Sequence, residues 1–462
     1  MSITVLRRLG LTACLSFASS SSFATDLYSI YQLAVQNDHE FAAANAAYQA
    51  GLENKGLGRA GILPKFNANA SYANNDVEQD GESVQLLLPN ETNATDSGYG
   101  LTLSQPLFDM AAWNTYQAGK DAANIAEAQF RSDQQSLIIR TAQAYFDTLQ
   151  AADNLSTSVA EEDAFKHQLE QTQQRFEVGL SAITDVHEAQ ASYDNSVAEK
   201  LIAIGQLGIA FEALEVLTGE TYYEINPLKD DFVVSKPQPE AREEWVKRSI
   251  EGNYDLAAAE ANAEASRHQA KAAKAGHYPV LSLDGSYSSR NNDGDFTYQD
   301  NPAGKNDYDT DSTQIGVTLT IPIYNGGGVS ASRRQAAQQS IQARELWLKA
   351  KRDVVQAART QHLAVTTTVA TVKARKQAIV SNASALEATQ AGYSVGTRDL
   401  VDVLNAQRGL YQAKRDYYAA LYTYVISSLT LKQVAGMLVE DDVVQLNSWL
   451  DTERKVEKNT SL

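Results

Sequence analysis

Cysteine is almost absent from this chain, which excludes disulfide and thiol chemistry. The single cysteine among 462 residues is Cys14. It lies in a segment, residues 1–24, that has the basic start, the apolar middle and the small residues near Ala24 of a signal peptide. Cleavage there leaves a mature chain without cysteine. The residues before Cys14 also resemble a lipoprotein box, but an apolar stretch of only three residues precedes them, which does not favour lipidation.

Histidine is scarce too, and its spacing does not suit a metal site. The six histidines show no His-x-x-x-His pair and have no cysteine partner. Serine and aspartate occur in no nucleophile-elbow context. The run at 326–328 is three glycines without the Lys-Ser/Thr end of a phosphate loop, so it is better interpreted as a bend between a strand and a helix. We therefore predict no catalytic residue, metal or cofactor, and no enzyme.

Basic residues and long apolar runs are both deficient. The formal net charge is −18, and loss of the signal peptide removes two arginines and no acid, which gives −20. That balance argues against a nucleic-acid partner. No run of 18 apolar residues follows the signal peptide, so the sequence predicts no transmembrane helix. If the protein enters a membrane, it must do so through strands.

The second half of the sequence repeats the first. The stretches 175–190 and 392–407 align Val178-Gly179 with Val395-Gly396 and Asp185 with Asp402. Matches at nearly the same offset, about 216 residues, recur along the whole chain. This period is far longer than that of solenoid repeats. The chain is therefore an internal duplication with pseudo-twofold architecture.

Proline is confined to a few segments, which reveals the helices. Of nine prolines, none lies between residues 107 and 226 and none follows residue 322. Both proline-free blocks are rich in helix-forming residues with apolar residues at 3-4 spacing, which predicts coiled-coil helices. Each long helix, about 108 Å by its length, matches two half-length helices placed end to end.

Four segments alternate apolar and polar residues over about ten positions, as membrane-spanning strands do. They lie at about 65–74, 98–106, 279–288 and 313–322, and the acidic segments between them, about 74–98 and 288–313, are predicted hairpin loops. Any one such strand also suits a hairpin of a soluble domain. Four strands cannot close a barrel and a bilayer tolerates no open edge, so a spanning protein must associate as two or three chains.

The predicted layout assigns each segment to a repeat or a connector. Residues 25–219 form repeat 1, with long helix 107–178, a tip and helix 180–217. Residues 248–436 form repeat 2, with long helix 323–395, a tip and helix 397–435. Residues 220–247 connect the repeats midway along the helices, and residues 437–462 form a second such segment with a flexible tail. A helix of about 26–62 precedes the first strand.

The duplication, the strand pairs before Pro106 and Pro322, and the two tip motifs together resemble the TolC family of outer-membrane efflux and secretion channels. The tip motifs are Arg175-Phe176-x-Val178-Gly179-Leu180 and Tyr393-Ser394-Val395-Gly396-Thr397-Arg398. The resemblance implies an α+β membrane protein: a homotrimer whose 12-stranded outer-membrane β-barrel, four strands per chain, continues as a periplasmic α-helical coiled-coil tunnel. It implies a passive exit duct for drug efflux and type I secretion. The implied partners are a periplasmic adaptor protein, an inner-membrane transporter of RND, ABC or MFS type, and outer-membrane lipid.

The resemblance also implies roles for residues near the tips. Tyr393 and Arg398 match gating residues, with partners at Thr184 and Asp185. Asp402 matches an aspartate ring at the closed entrance, and a second ring position falls on Asn405, which departs from the family and weakens the expected cation block. The expected adaptor-binding tips are Val178, Gly179, Leu180, Val395, Gly396 and Thr397.

Simpler interpretations of the same residues stay open at this point. Asp185 and Arg398 also suit a routine surface ion pair worth about 0–1 kcal/mol, and the Val-Gly turns suit ordinary helix ends. A periplasmic coiled-coil scaffold without a pore would share the helices, but it would not need two-faced strands.

Overall fold

The computed structural model describes residues 26–78, 91–298 and 301–458. The expected signal peptide, Cys14, the acidic residues Asp80 and Glu82, and residues 459–462 lie outside these ranges. The elements run in the order α1 (Leu27–Asn37), α2 (His39–Ala60), β1 (Lys65–Glu78), β2 (Glu91–Phe108), α3 (Met110–Glu177), α4 (Ile183–Thr218), β3 (Glu224–Ile225), α5 (Arg242–Gly252), α6 (Tyr254–Ala275), β4 (Val280–Tyr298), β5 (Asn301–Lys305), β6 (Tyr308–Thr320), α7 (Gly328–Ser394), α8 (Leu400–Val434), α9 (Glu440–Asn447) and β7 (Val456–Glu457).

The two long helices, α3 and α7, begin directly below the strands and set the length of the molecule. They contain 68 and 67 residues, or about 100 Å each. The α3 helix is capped by Asp109, whose carboxylate accepts hydrogen bonds from the amides of Ala111 (2.8 Å) and Ala112 (2.9 Å). Before α7, Gly326 and Gly327 adopt φ values of 60° and 79°, so the predicted glycine bend is confirmed.

The helix predicted over 26–62 is wrong as one element, because it breaks at Asp38. The Asp38 carboxylate caps α2 by accepting from the amides of Glu40 and Phe41 and forms an ion pair with Arg140 of α3. The second repeat has the same break at Asn253, whose side chain accepts from the amide of Leu256 at 2.9 Å. Helix α5 also starts at Arg242, inside the segment predicted as a connector. A polar cap therefore ends one helix and starts the next in each repeat.

Strands β1, β2, β4, β5 and β6 form one antiparallel sheet with sharply different faces. The order is β1-β2-β4, and β5 and β6 pair in turn with the far side of β4. Cross-strand register places Phe66, Leu103, Gly285 and Ile315 in one row, and Asn67, Thr102, Ser286 and Gln314 in the next. Phe66 and Ile315 are 75% and 79% exposed. One face of the sheet is therefore apolar and uncovered within the chain, and the other is polar.

The predicted hairpin loops are wrong where the structure describes them, since the strands extend well beyond ten residues. The strands β1, β2 and β4 contain 14, 18 and 19 residues. Side-chain amides cross-link the extensions: Asn75 and Asn292 both donate to the Asp96 carboxylate at 2.9 Å, and Asn291 donates to Asp309 at 2.6 Å. These hydrogen bonds let an Asx-rich segment, which by propensity favours turns, continue as sheet.

The helices below the sheet follow the same lateral order as the strands. Contacts link α2 to α3, α3 to α6 and α6 to α7 in the upper part, and α4 to α3, α3 to α8 and α8 to α7 in the lower part. Glycines permit close approach: a Cβ on Gly58 would lie 3.0 Å from Tyr116 Cα, and one on Gly119 would lie 2.5 Å from Asn54 O. The small residues noted in the sequence thus let helix backbones touch.

The main hydrophobic core lies midway along the helices, where the short elements pack on the long ones. Tyr145, Phe146, Phe211 and Leu214 are at most 1% exposed there. The tail predicted as flexible is wrong over residues 451–458, because β7 pairs with β3 and Lys455 and Lys458 form ion pairs with Glu224 and Glu212. Backbone pairing and opposite charge hold a polar segment in place that composition alone marks as mobile.

Among the described residues, α4 is long and apolar enough in composition to cross a membrane. The sequence analysis predicted a helix over 180–217 but did not anticipate this apolar composition. A third of its most apolar window is buried against the chain. Its other face is exposed and carries a stripe of Ile202, Ile209 and Val216, spaced by seven residues, with Gly205 and Gly208 between them. That heptad spacing is typical of a helix that packs against another helix.

Candidate gate and adaptor surface at the helix tips

Two matching turns join the long helices to the short ones at the tips. Gly179 and Gly396 have φ values of 78° and 79°. In each turn, the amide of the residue after the glycine donates a hydrogen bond to a carbonyl in the last turn of the helix: Leu180 N to Arg175 O (2.8 Å) and Thr397 N to Gly392 O (2.9 Å). This is the glycine-ended helix terminus that the Val-Gly motif predicts. Val178, Leu180 and Val395 are 70%, 70% and 74% exposed, so each tip presents apolar side chains to the solvent.

Within one chain, Asp185 stabilises its own helix start. Its carboxylate accepts a hydrogen bond from Ser181 Oγ at 2.7 Å and one from the Ala182 amide at 3.3 Å. Thr184 beside it is exposed. Neither residue contacts Arg398 through a hydrogen bond or ion pair in the described chain. Within one chain, therefore, the predicted partners Thr184 and Asp185 do not meet Arg398.

Tyr393 does connect the two helix pairs inside the chain. The guanidinium of Arg175, at the end of α3, lies 4.8 Å from the centre of the Tyr393 ring, a cation–π distance. Tyr393 also packs on a small core that joins α3, α4 and α8, here called the tip cluster: Phe165, Leu169, Ala189, Leu400 and Leu404. The α7–α8 pair is thus held to the α3–α4 pair by an aromatic contact.

Arg398 pairs with Asp402 on its own helix start, at 3.3 Å. The two side chains are 61% and 41% exposed, so the pair contributes at most about 1 kcal/mol. Gly392 makes room for Arg398, because a Cβ there would lie 2.8 Å from Arg398 Cγ. Asn405 follows Asp402 by three residues and is exposed, so the two ring positions lie about one turn apart on α8.

Sequence reasoning missed two features that hold this end of the molecule. Arg175 belongs to the quoted tip motif, but the sequence analysis gave it no role, because its ring partner lies 218 positions away. The buried ion pair between Glu161 of α3 and Arg415 of α8, 2.6 Å long, was also missed. Glu161 and Arg415 side chains are 7% and 27% exposed. The one feature of the sequence that could have predicted this ion pair is Glu161 itself, a charged residue at a helix position that faces the core.

The model of the family described as "Outer membrane efflux protein" matches residues 30–220 and 245–437, one match per repeat. The chain belongs to this family. It is therefore an outer-membrane channel protein and not an enzyme, and the predictions of family and of location are confirmed.

Individual relatives agree over nearly the whole length. The chain is 36% identical over 447 residues to the outer membrane protein TolC of Vibrio cholerae, covering 97% of this chain and 99% of the relative. It is 29% identical to the proteases secretion protein PrtF of Dickeya chrysanthemi, over 97% of this chain and 96% of the relative. The crystal structure of the Campylobacter jejuni CmeC outer membrane channel superposes with a TM-score of 0.73 at 18% identity, over 92% of this chain and 90% of that one, which shows a shared fold.

Proposed function

We propose that three copies of this chain form a continuous passive duct, in which a 12-stranded barrel opens into a helical tunnel that serves drug efflux and type I protein secretion. The observation that carries this proposal is the sheet with two open edges. In the described chain β1 pairs on one side only, with β2, and β6 on one side only, with β4. An apolar-faced sheet in lipid must close on itself, and β6 of one copy pairing with β1 of the next closes it.

The helices support the same closure. Helices α2 and α4 lie on the β1 side of the chain and α7 lies on the β6 side, so each copy offers one edge to the other edge of its neighbour. The exposed stripe of α4, Ile202, Ile209 and Val216, then faces a neighbouring α7. Helix α7 carries its own exposed apolar residues, among them Leu363 (64%) and Val380 (56%). Three chains give twelve strands, an even number within the usual range for such barrels.

The duct opens at the tips by an iris-like movement of the α7–α8 pair. In the closed state Tyr393 holds this pair to α3 through Arg175, and Arg398 reaches Thr184 and Asp185 of a neighbouring copy. A threefold axis brings three Asp402 carboxylates together, where like charges attract a cation. Asn405 in place of a second acidic ring weakens that attraction. Breaking the tip contacts lets the α7–α8 pairs move outward and widens the entrance.

The energy for export comes from partners. The exposed tips, Val178-Gly179-Leu180 and Val395-Gly396-Thr397, dock a periplasmic adaptor, which connects the duct to an inner-membrane transporter of RND, ABC or MFS type. The similarity to PrtF, a proteases secretion protein, supports a role in secretion beside efflux.

The test is single-channel conductance of the detergent-purified protein in a planar bilayer, with wild type beside Arg398→Ser. We expect a small, stable conductance that rises several-fold in the variant. The matched control is Arg375→Ser. It removes an arginine of α7 that pairs with Asp416 of α8 at 2.7 Å, about 30 Å from the tip. Its conductance should match wild type.

The other outcomes separate the parts of the proposal. Conductance that is equal in all three proteins keeps the duct and refutes the Arg398 gate. A rise in both variants means that general loosening of α7 and α8, and no tip contact, controls the opening. Absence of conductance from intact trimers would refute the pore. It would favour the alternative of a periplasmic coiled-coil scaffold without a pore.

A further inference from the structure

A band of positive charge crosses the tops of the helices in this acidic protein. Six basic side chains on α2, α3, α6 and α7 form it, here called the basic collar: Lys55, Arg59, Lys120, Lys271, Lys274 and Arg333. All six are exposed. None of them forms an ion pair within residues 26–78, 91–298 and 301–458. In a chain of net charge −18, six unpaired cations at one level need a physical reason.

The collar lies directly below the strands. Arg59 and Lys274 are each one residue from the upper ends of α2 and α6, and Arg333 is five residues below the start of α7. Lys120, the lowest, is ten residues into α3. At about 1.5 Å per residue, all six backbones lie within about 15 Å of the sheet. Their long side chains reach several ångströms farther toward it.

The collar faces outward, away from the tunnel. On α7, Arg333 lies 29 positions before His362, very close to eight helical turns, so both share a face. His362 lies 3.0 Å from the backbone oxygen of Glu240 in the segment that wraps the helices, which makes this face external. On the row of α7 that contains Gln335 and Gln342, the first charged residue is Lys349, which lies 21 residues below the start of the helix and outside the collar. Helix α6 is divided in the same way. Its basic residues Lys271 and Lys274 lie on one face, and the uncharged residues Asn262 and Gln269 lie on the opposite face.

An apolar girdle adjoins the collar on the side of the sheet. Leu107, Phe108, Ile321 and Ile323 are 53%, 49%, 57% and 93% exposed at the junction of strands and helices. Trp113, one turn into α3, is 47% exposed. Aromatic and apolar side chains followed at once by lysine and arginine are the pattern of a membrane–water interface.

We propose that the basic collar binds the phosphate groups of anionic phospholipids in the periplasmic leaflet of the outer membrane. The proposal rests on the membrane-spanning barrel described above. Polar headgroups occupy roughly the first 5–8 Å outside the hydrocarbon core, the level of Arg59, Lys274, Lys271, Lys55 and Arg333. The opposite end of the sheet is acidic, with Asp293, Asp295, Asp309 and Asp311, so the charge distribution also orients the protein. A soluble anionic polymer could contact the same cations, but it would give no reason for the girdle beside them.

Fluorescence of Trp113 tests the proposal in vesicles that contain the full-length protein. The vesicles hold phosphatidylcholine with a fixed fraction of brominated phosphatidylglycerol or, in parallel, brominated phosphatidylcholine, both bromine-labelled on the acyl chain. Trp113 lies at lipid level, while the other three tryptophans, at 245, 347 and 449, lie on lower parts of the helices or in the segment that wraps them. A Trp113→Phe variant identifies its share of the quenching.

At low salt we expect the phosphatidylglycerol to quench Trp113 as if enriched about fivefold over phosphatidylcholine, the factor for about 1 kcal/mol from one cation acting on a lipid. The enrichment should fall toward one in the collar variant K55Q/R59Q/K271Q/K274Q. The enrichment should persist in the control variant K166Q/K247Q/K373Q/K376Q. That variant removes the same charge from exposed sites on the lower parts of the helices and on α5, which lies midway along them. Added salt should reduce the wild-type enrichment.

Three results would overturn the proposal in distinguishable ways. Equal quenching by both lipids in wild type refutes the collar and leaves the barrel intact. Enrichment that survives in the collar variant assigns it to other residues. Absence of quenching by either lipid refutes the placement of the sheet in the membrane, and the collar with it. If equal quenching is accompanied by collar-dependent cosedimentation with purified peptidoglycan, the collar binds that polymer instead.

Discussion

Replacing Asp153 by asparagine should stabilise the protein at neutral pH and remove part of its dependence on pH. Asp153 lies on α3 beside a cavity of about 320 Å³, which is also lined by Tyr417, Tyr422 and Arg454. Burial raises the pKa of Asp153 to about 6, against the opposing effects of the Tyr422 hydroxyl and the Arg454 guanidinium. Burial also holds the pKa of Tyr422 well above its usual 10, so its hydroxyl donates to Asp153, at 2.5 Å, throughout the working range.

The magnitude follows from the difference between folded and unfolded states. The folded pKa of about 6 exceeds the unfolded value of 3.8, so folding favours the protonated carboxyl. The stability that it contributes is fully present below pH 3.8 and is lost as the pH rises through about 6. Two pKa units correspond to about 3 kcal/mol at pH 8. Asparagine keeps an oxygen for Tyr422 without the charge. We expect it to recover about 1–3 kcal/mol at pH 8 and almost nothing at pH 4.

The assay is guanidinium unfolding in detergent, followed by circular dichroism at pH values from 4 to 8. The matched control is Asp147→Asn on the same helix, where the carboxylate is exposed and accepts a hydrogen bond from Gln143. Plotting each variant as a difference from wild type removes the titration of other groups. A difference between Asp153→Asn and wild type that does not change with pH would refute the reasoning, as would a control that behaves in the same way.

Three further changes test other parts of the structure. Arg415→Met should lower the free energy of unfolding by about 3–5 kcal/mol, because it leaves Glu161 charged and buried without a partner. The double variant Arg415→Met/Glu161→Gln should recover most of that loss in the same unfolding assay. Gly396→Val should reduce drug and toxin export at normal protein level, since a β-branched residue at a φ of 79° costs about 1–2 kcal/mol and reshapes the tip; unchanged export would mean that this turn does not dock the adaptor. Gly205→Leu should dissociate the proposed trimer in size-exclusion chromatography, because nothing in its own chain lies near that Cβ position; an unchanged elution volume would mean that this face of α4 does not contact a neighbouring copy.

The sequence predicted the parts of this protein that depend on local pattern. Helix-forming composition without proline predicted the long helices, and their ends differ from α3 and α7 by at most five residues. Period-two alternation predicted the strands, and the Val-Gly motif predicted the two tips, since only glycine adopts those positive φ values without strain. The duplication and the tip motifs together were specific enough to indicate the family, which the comparisons confirmed.

Tertiary structure decided what depends on residues far apart in the chain. The strands are longer than alternation predicts, because Asn75 and Asn292 reach Asp96 only across the assembled sheet. Residues 451–458 are held in place because β3 pairs with β7, and Arg175 acquires a role only where the fold brings it over the Tyr393 ring. Local propensity is a property of a few neighbouring residues, whereas these interactions exist only after distant segments have packed. The sequence already predicted a sheet with open edges from its four strands, but only the fold decides that β1 and β6 are those edges.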